Sequence, residues 1–588
     1  MPENIFARVR QAVADALQQA VPGLDQAVLD RIEVTPSKDP AHGDMATNAA
    51  MVAAKPACLP PAQIAAMLAA ALADGPDVAR AVPAGPGFVN LTLHSAALRA
   101  TVPAVLIEGQ AYGTNTAGQG VRVNVEYVSA NPTGPMHVAH CRGAVVGDAL
   151  ANLLARAGFA VTKEYYINDA GNQVTALAWA SYWRYLQALG TTLTEAEYDA
   201  QVPGGLQYRG DYLVPVGAAL AASHGADLAG PGGMVADPAL WLDTVRATAI
   251  GMMMDSIRTD LAALGVVMDV FTSEAALVAD GAPDRTIARL DAMGLIYTGT
   301  LEPPRGKTPD DWEPREQTLF RATQFGDDVD RPLRKSDGSN TYFANDIAYH
   351  ADKMARDAAV LIDVWGADHG GYVSRMKAAT KALGGRLEIV LCQVVHVLRD
   401  GKQVKMSKRA GTYVALADLI EEVGRDAVRF TMLTRKADAQ MDFDLDAVVA
   451  QTRDNPVFYV QYAHARCRSV LRAAAAASYA MDDLASVPLD SLNDPAELAL
   501  IRRMAAWPRT VEGAALAYEP HRIAFYLYDL AGDFHMLWNR GRDDAALRFL
   551  QADNAGATLA RLALVSATAM VIRSGLAVLG VTPVEEMR

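Results

Sequence analysis

The sequence predicts an α/β protein, with a parallel sheet in mid-chain, a mixed domain before it and an all-helical domain after it. Three observations carry that expectation. A buried-strand pattern, VRVNVEYVS (121–129), passes through a Pro/Gly turn into an apolar helical stretch (136–158) and a second strand, VTKEYYIND (161–169). Strand, turn, long helix and strand is the opening of a parallel sheet. Later apolar runs, AVLIDVWGAD (359–368) and LEIVLCQVVHVL (387–398), supply further buried strands. Beyond about residue 450 the Ala- and Leu-rich periodicity is helical to the end.

Each element has its local cause. Ile5, Val9, Val13 and Leu17 recur at helical spacing, so the first residues read as an amphipathic helix; Glu3 and Asp15 deny them the apolar core of a signal peptide. Residues 1–100 alternate helical stretches with Pro/Gly turns and close on PAGPGFVNLTL (83–93), where Phe88, Val89, Leu91 and Leu93 form a strand pattern. The small, polar segment 111–120 reads as a linker. Gly158 stops the long helix. Residues 191–240 are glycine-rich and irregular, as an insertion in a sheet would be.

Composition narrows the class. Of 588 residues, 51% are hydrophobic and 20% charged, which is globular and not disordered. The charge-free apolar run 562–572 is eleven residues long, short of the roughly 20 that span a bilayer. A net charge of −14 argues against generic nucleic-acid affinity but leaves room for one basic face. Cys58, Cys141, Cys392 and Cys467 form no CxxC pair, so neither a disulfide framework nor a structural zinc site is expected, and a reducing, cytoplasmic compartment fits.

Two constellations carry chemistry. His137 and His140 stand at i and i+3 where a helix follows the first sheet strand. At the carboxyl edge of a parallel sheet, a helix N-terminus and two imidazoles suit a polyphosphate, although the spacing alone equally describes two ordinary helix histidines. Far downstream, GKQVKMSKRAGTYV (401–414) gathers Lys402, Lys405, Lys408 and Arg409 in a glycine-bounded loop with Ser407 and Thr412. Such a loop can cover β- and γ-phosphates; alone it also reads as a solvated basic turn.

Together the two strings resemble the HIGH and KMSKS signatures of class I aminoacyl-tRNA synthetases. Longer strings narrow the likeness to the arginyl-tRNA synthetase family: NVEYVSANPTGPMHVAH (124–140), YYINDAGNQ (165–173), TYFANDIAYHADK (341–353), GADHGGY (366–372) and KMSKRAGTYVALADLIEEVGRDAVRF (405–430). HGDMATNAA (42–50) and AGPGFVNLTL (84–93) resemble that family's N-terminal additional domain, and NPVFYVQYAHARCRSVLR (455–472) the start of its helical anticodon-binding domain. Two departures stand out. Ala139 replaces the usual glycine of the first signature, and Thr133, Gly134, Pro135 and Met136 precede the histidines where many relatives lacking KMSK carry a lysine. The chain resembles the variant that relies on Lys405 and Lys408.

The resemblance implies a Rossmann-like catalytic core at 118–375 with the insertion around 191–240. It further implies an N-terminal α+β, tRNA-elbow-binding domain at 1–112, a KMSK-loop subdomain at 376–452 and a helical anticodon-binding domain at 453–588. It implies that arginine is activated with ATP to arginyl-adenylate and transferred to the terminal ribose of tRNA(Arg), with adenylate forming only when cognate tRNA is bound. His137, His140, Lys405 and Lys408 would be catalytic. Pro135, Ala139, Asp368, His369, Met406 and Ser407 would join them around ATP. Glu126, Ser129, Asn131, His137, Tyr342 and Asp346 would hold arginine, the two carboxylates facing a guanidinium whose five donors form a fixed fork. Read from the residues alone, Glu126 is equally a strand-edge surface carboxylate and Asp346 a helix cap. Tyr459, Tyr462, Arg466 and Arg468 would meet tRNA, splayed bases stacking on aromatics while arginines meet phosphates; the same pattern also describes a core helix with a basic face. Mg²⁺ would accompany ATP, with no zinc and no metal ligand among the side chains. Neither membrane nor DNA is expected as a partner, and the family resemblance implies a monomer. Two competing readings are a pantothenate-synthetase-like nucleotidyl-transfer ligase, which would lack a long helical C-terminal domain, and a catalytically inactive synthetase paralogue that binds RNA, which loss of His140 or Lys408 would have signalled.

Overall fold

The computed structural model describes residues 4–37, 39–73, 75–301, 315–404 and 414–587. Lys405, Met406, Ser407 and Lys408 therefore lie outside the described residues. The chain divides into two compact units, one of residues 116–450 with 518–520, the other of 1–115, 451–517 and 521–588.

The first unit holds a five-stranded sheet. In chain order its elements are β1 (Arg122–Glu126), α1 (Val138–Arg156), β2 (Ala160–Ile167), α2 (Asn172–Ala188), α3 (Pro238–Ala263), β3 (Val270–Ser273), α4 (Tyr342–Ala355), β4 (Val360–Gly366), α5 (Val373–Ala382) and β5 (Leu387–Cys392). The strand order is β5-β4-β1-β2-β3, and every pairing is parallel. The chain thus winds one way from β1 to β3 and returns to the other side of β1 at β4, so a topological switch lies between β1 and β4. Ligands of open α/β sheets bind in the crevice at such a switch. Val123, Asn124, Val125 and Glu126 are all buried, as a central strand covered on both faces requires.

The run 387–398, read as strand material, is two strands of different sheets. After β5 the chain turns at Gln393, whose N–H donates to the Ala437 carbonyl at 2.9 Å. β6 (Val395–Arg399) then pairs in parallel with β7 (Met441–Asp444) in a separate three-stranded sheet. Residues 191–240, expected to be irregular, pack well: Val214–His224 lies on α2, and Tyr198 stacks on Trp183 with centroids 4.8 Å apart.

In the second unit a four-stranded antiparallel sheet carries Phe88–Leu93 between Met45–Thr47 and Val78–Ala84, with the amphipathic helix Ile5–Ala20 nearby. The N-terminal and C-terminal segments share this unit: Tyr112 donates to the Met504 carbonyl at 3.1 Å, and Trp507 donates back to the Tyr112 carbonyl at 3.0 Å. The helix Ala555–Leu579 is long and apolar enough to cross a bilayer, more than the interrupted apolar run suggested, yet its most apolar stretch is 78% buried. Its Arg561 pairs with the buried Glu497 at 2.7 Å, so the helix serves as the core of a bundle.

Candidate active site

A cavity of about 670 Å³ opens at the carboxyl ends of β1 and β4, at the switch point. Its floor is a buried charge network. Glu126 ends β1, Asp363 sits within β4, and the fully buried Lys353 of α4 donates to both, to Asp363 Oδ1 at 3.0 Å and to Glu126 Oε2. His350, one turn earlier on α4, reaches Asp363 Oδ2 at 2.8 Å and the Asp346 carbonyl at 2.7 Å. Burial alone would raise the Asp363 carboxyl, but the charges of Lys353 and His350 outweigh it and hold it at about 2. Burial would likewise lower Lys353, and the two carboxylates instead raise it to about 12. Burial pushes the Glu126 carboxyl up. The surface-carboxylate reading of Glu126 is therefore excluded, and one of its oxygens is already met by an internal cation. Glu126, His350 and Asp363 converge closely enough to suggest a metal site. The Lys353 ammonium bonded to two of them takes the place a divalent ion would need.

Above the floor stands Asp346. It is not a cap, because Thr341 caps α4 by accepting from the Ala344 N–H. The Tyr372 hydroxyl donates to Asp346 Oδ2 at 2.7 Å. Burial raises its carboxyl to about 7, which the Tyr372 bond and the nearby His350 offset only in part. A carboxyl withdrawn from water without a cation beside it is costly to ionise, and a positive charge brought to Asp346 would favour its ionised form.

Between β1 and α1 the backbone is forced. Val128 and Ser129 have φ of 71° and 39°, left-handed values that cost side-chain-bearing residues of order 1–3 kcal/mol each. The kink turns the Ser129 hydroxyl down to donate to Glu126 Oε1 at 2.8 Å while accepting from the Tyr166 N–H at 3.0 Å. One lone pair remains for an ammonium donor. Asn131, also at the cavity, is bridged to Gln173 at 2.7 Å. Tyr342 is one residue that the fold does not bring into the cavity lining. It is 61% exposed and lies against Gly171.

At the other end lies α1. His137 is its N-cap and accepts from the Ala139 N–H at 3.3 Å, while His140 Nδ1 accepts from the His137 N–H at 3.3 Å. The rings stack at 3.9 Å. Ala139, His140, Asp368 and His369 line the cavity; Pro135 and His137 are not in its lining. Strand-like pairing brings residues 414–416 onto this segment: Val138 N–H donates to Val414 O at 3.2 Å, and Leu416 N–H to Met136 O at 3.0 Å. The end of the lysine-rich loop is thereby anchored at the histidine pair. Arg142, the next inward turn of α1, donates to the carbonyls of Gln393, Lys436 and Ala439 at 2.7–3.0 Å.

Sequence reasoning missed Lys353, His350, Asp363 and Tyr372. The string IAYHADK held the first two at helical spacing from Asp346, but only β4 packed against α4 shows that His350 lines the cavity and that Lys353 lies buried beneath Glu126 and Asp363.

In the other unit, on the helix Pro456–Ala476, Tyr459 lies 4.6 Å from the His535 ring and Tyr462 lies 4.1 Å beneath the Arg466 guanidinium, which also covers Trp538 at 4.7 Å. Arg468 is engaged by Glu585 at 2.6 Å.

Comparison with known proteins agrees across the chain. Family models match residues 7–93 (arginyl tRNA synthetase N terminal domain), 101–191 (tRNA synthetases class I (R), catalytic domain) and 460–587 (DALR anticodon binding domain). An arginine–tRNA ligase of Gluconobacter oxydans is 62% identical over 99% of this chain and 98% of its own, and one of Cereibacter sphaeroides is 56% identical over 100% of both. Among solved structures, Thermus thermophilus arginyl-tRNA synthetase matches 99% of this chain and 100% of its own at TM-score 0.72 and 22% identity. The Plasmodium falciparum enzyme matches 100% and 99% at 0.68 and 15%.

Proposed function

The chain belongs to the arginyl-tRNA synthetase family, class I enzymes that join arginine to tRNA at the expense of ATP, and from that premise we propose how its cavity divides the work. The arginine guanidinium bonds to Asp346, beside Glu126. The α-ammonium takes the free lone pair of Ser129, with Asn131 alongside. ATP lies between the α1 N-terminus and the β4 loop, against Ala139, His140, Asp368 and His369, with His137 and Pro135 supporting. Mg²⁺ arrives on the nucleotide, and the reading needs no zinc.

The attacking carboxylate is already ionised near pH 7, so no general base is required. It adds in line to the α-phosphorus as pyrophosphate departs. His137 and His140 donate hydrogen bonds to oxygens gaining charge; Lys405 and Lys408, with Met406 and Ser407 between them, bring ammonium charge to the departing phosphates. Catalysis here is positioning and charge stabilisation. The tRNA terminal ribose, through its 2′-hydroxyl by class resemblance, then attacks the adenylate. The observation that carries this reading is Asp346, a half-buried carboxyl that lines the cavity at the switch point, bonded by Tyr372 and raised to about 7.

Anticodon bases stack beside Tyr459, Tyr462 and Arg466; Arg468, spent on Glu585, contributes less. The four-part division at 1–112, 118–375, 376–452 and 453–588, a cytoplasmic location and a monomer complete the proposal. The test is arginine-dependent charging of total tRNA against the other nineteen amino acids. Charging with any amino acid other than arginine refutes it. Dependence of activation on tRNA is tested by arginine-dependent pyrophosphate exchange with tRNA present or withheld. Deleting 455–588 is no substitute, because it strips the N-terminal segment of the Met504 and Trp507 partners of Tyr112.

A further inference from the structure

The turn that presents the histidine pair is held from outside the sheet. The Tyr212 hydroxyl donates to the Thr133 carbonyl at 2.8 Å, and its ring covers Gly134, where an added Cβ would lie 3.2 Å from the ring. Asp260 of α3 accepts the Met136 N–H at 3.2 Å. Both residues come from the elements that surround and follow the 191–240 insertion, and neither touches the cavity.

Tyr212 is itself fixed. Arg184 of α2 donates to the Arg209 carbonyl at 2.8 Å and to the Asp211 carboxylate at 3.2 Å, bracketing the tyrosine's short 3-10 turn. A Cβ on Gly210 would stand 2.3 Å from the Tyr212 ring, so glycine is what lets the ring fold across the chain toward Thr133. Behind it lies a dense aromatic core, in which the buried Tyr198 donates to the Trp179 carbonyl at 2.7 Å and Trp179 meets Trp241 edge-on. A rigid block thus presents one hydroxyl to one carbonyl, two residues before the pre-signature Pro135.

We propose that the 191–240 insertion is a brace for this turn, and that Tyr212 is a positioning residue for arginine activation. The inference rests on His137 and His140 being catalytic. The far end of the turn is held by Asp260 and by residues 414–416, and its near end by Tyr165, whose hydroxyl donates to the Ala130 carbonyl at 2.7 Å; Tyr212 holds Thr133 between them. Loosening it at Thr133 lets the two imidazoles drift from the oxygens they must meet, and small misplacements of this kind are expensive in rate. Tyr212 is not among the residues that line the cavity, so its loss should act on kcat and leave substrate affinity alone.

The experiment uses the full-length enzyme in pyrophosphate exchange with tRNA present. Tyr212→Phe keeps the ring over Gly134 and removes only the hydroxyl. Its kcat should fall about three- to tenfold, the loss of one hydrogen bond's worth of positioning, with the KM for arginine and for ATP unchanged. Tyr198→Phe is the matched control: it deletes one hydroxyl-to-carbonyl bond in the same insertion, away from the turn, and should keep full kcat. Full kcat in Tyr212→Phe, an equal loss in Tyr198→Phe, or a loss carried by KM would each overturn the brace. His140→Ala run alongside separates the premises: if it retains full kcat, the catalytic reading of the histidines has failed and not the brace.

Discussion

Asp346 and Asp368 line one cavity in opposite states. Asp346 is half-buried, bonded by Tyr372 and raised to about 7, whereas the Asp368 side chain is 81% exposed and lies 3.7 Å from a His369 side chain that is 63% exposed. On the side proposed for the amino acid, Lys353 bonds to both Glu126 and Asp363, and Asp346 has no such ammonium bonded to it among the described residues. The side proposed for the nucleotide is open, with its fixed elements being the N-cap of α1 and the strand pairing of 414–416. Selecting one side chain among twenty rewards burial, since an unpaired buried group penalises every wrong ligand. Stabilising departing phosphates rewards placement of donors instead.

The largest expected effect comes from breaking the Lys353 pairing. Lys353→Met leaves two buried carboxylates without their cation and should cost about 3–5 kcal/mol of stability, measured by denaturant unfolding. A variant of wild-type stability that binds arginine more tightly would mean that the floor is an open guanidinium subsite and not a filled one. For the proposed phosphate chemistry, His140→Ala and Lys408→Ala should each lower kcat by on the order of 10²-fold with small KM changes; a full-speed Lys408→Ala enzyme would remove the lysine loop from the mechanism.

Next in size is Asp346→Asn, which keeps the shape and removes the charge. Arginine binding should weaken by about 1.5–3 kcal/mol by calorimetry while ATP binding holds. An equal fall in ATP affinity would collapse the distinction between the two sides. The smallest effect sharpens it by pH. Asp346 in the empty cavity is protonated below about 7, and the guanidinium pairs with the ionised form. Arginine affinity should be flat above that pH and fall toward tenfold per unit below it, with proton release on binding. A pH-independent arginine affinity between pH 5.5 and 7 would show that some other group carries the charge.

Much of this was legible along the chain. The strand–turn–helix–strand run and the order of five motifs follow from local spacing, which sequence records directly, whereas Asp346 was named through the family resemblance, its own spacing reading as a helix cap. Glu126 was named, but its burial was not visible, since a strand's last residue is buried or exposed according to what packs on it. The 387–398 run looked like strand and was; that it divides between two sheets depended on Arg142 and Ala437 meeting Gln393 across the fold. Tyr342 was placed with Asp346 because they share a string, yet four residues along a helix start put one outside the cavity and the other within it.

By itself, then, the sequence determined the order of elements, the catalytic strings and the family, because periodicity, turn chemistry and motif spacing are properties of neighbours in the chain. The tertiary structure alone decided that Lys353 fills the floor, that Asp346 is left to titrate near 7, and that Tyr212 reaches the Thr133 carbonyl from 79 residues away. Those outcomes depend on desolvation and charge neutralisation between distant segments, and no local pattern encodes which carboxylate will find its cation within the protein and which must wait for the substrate.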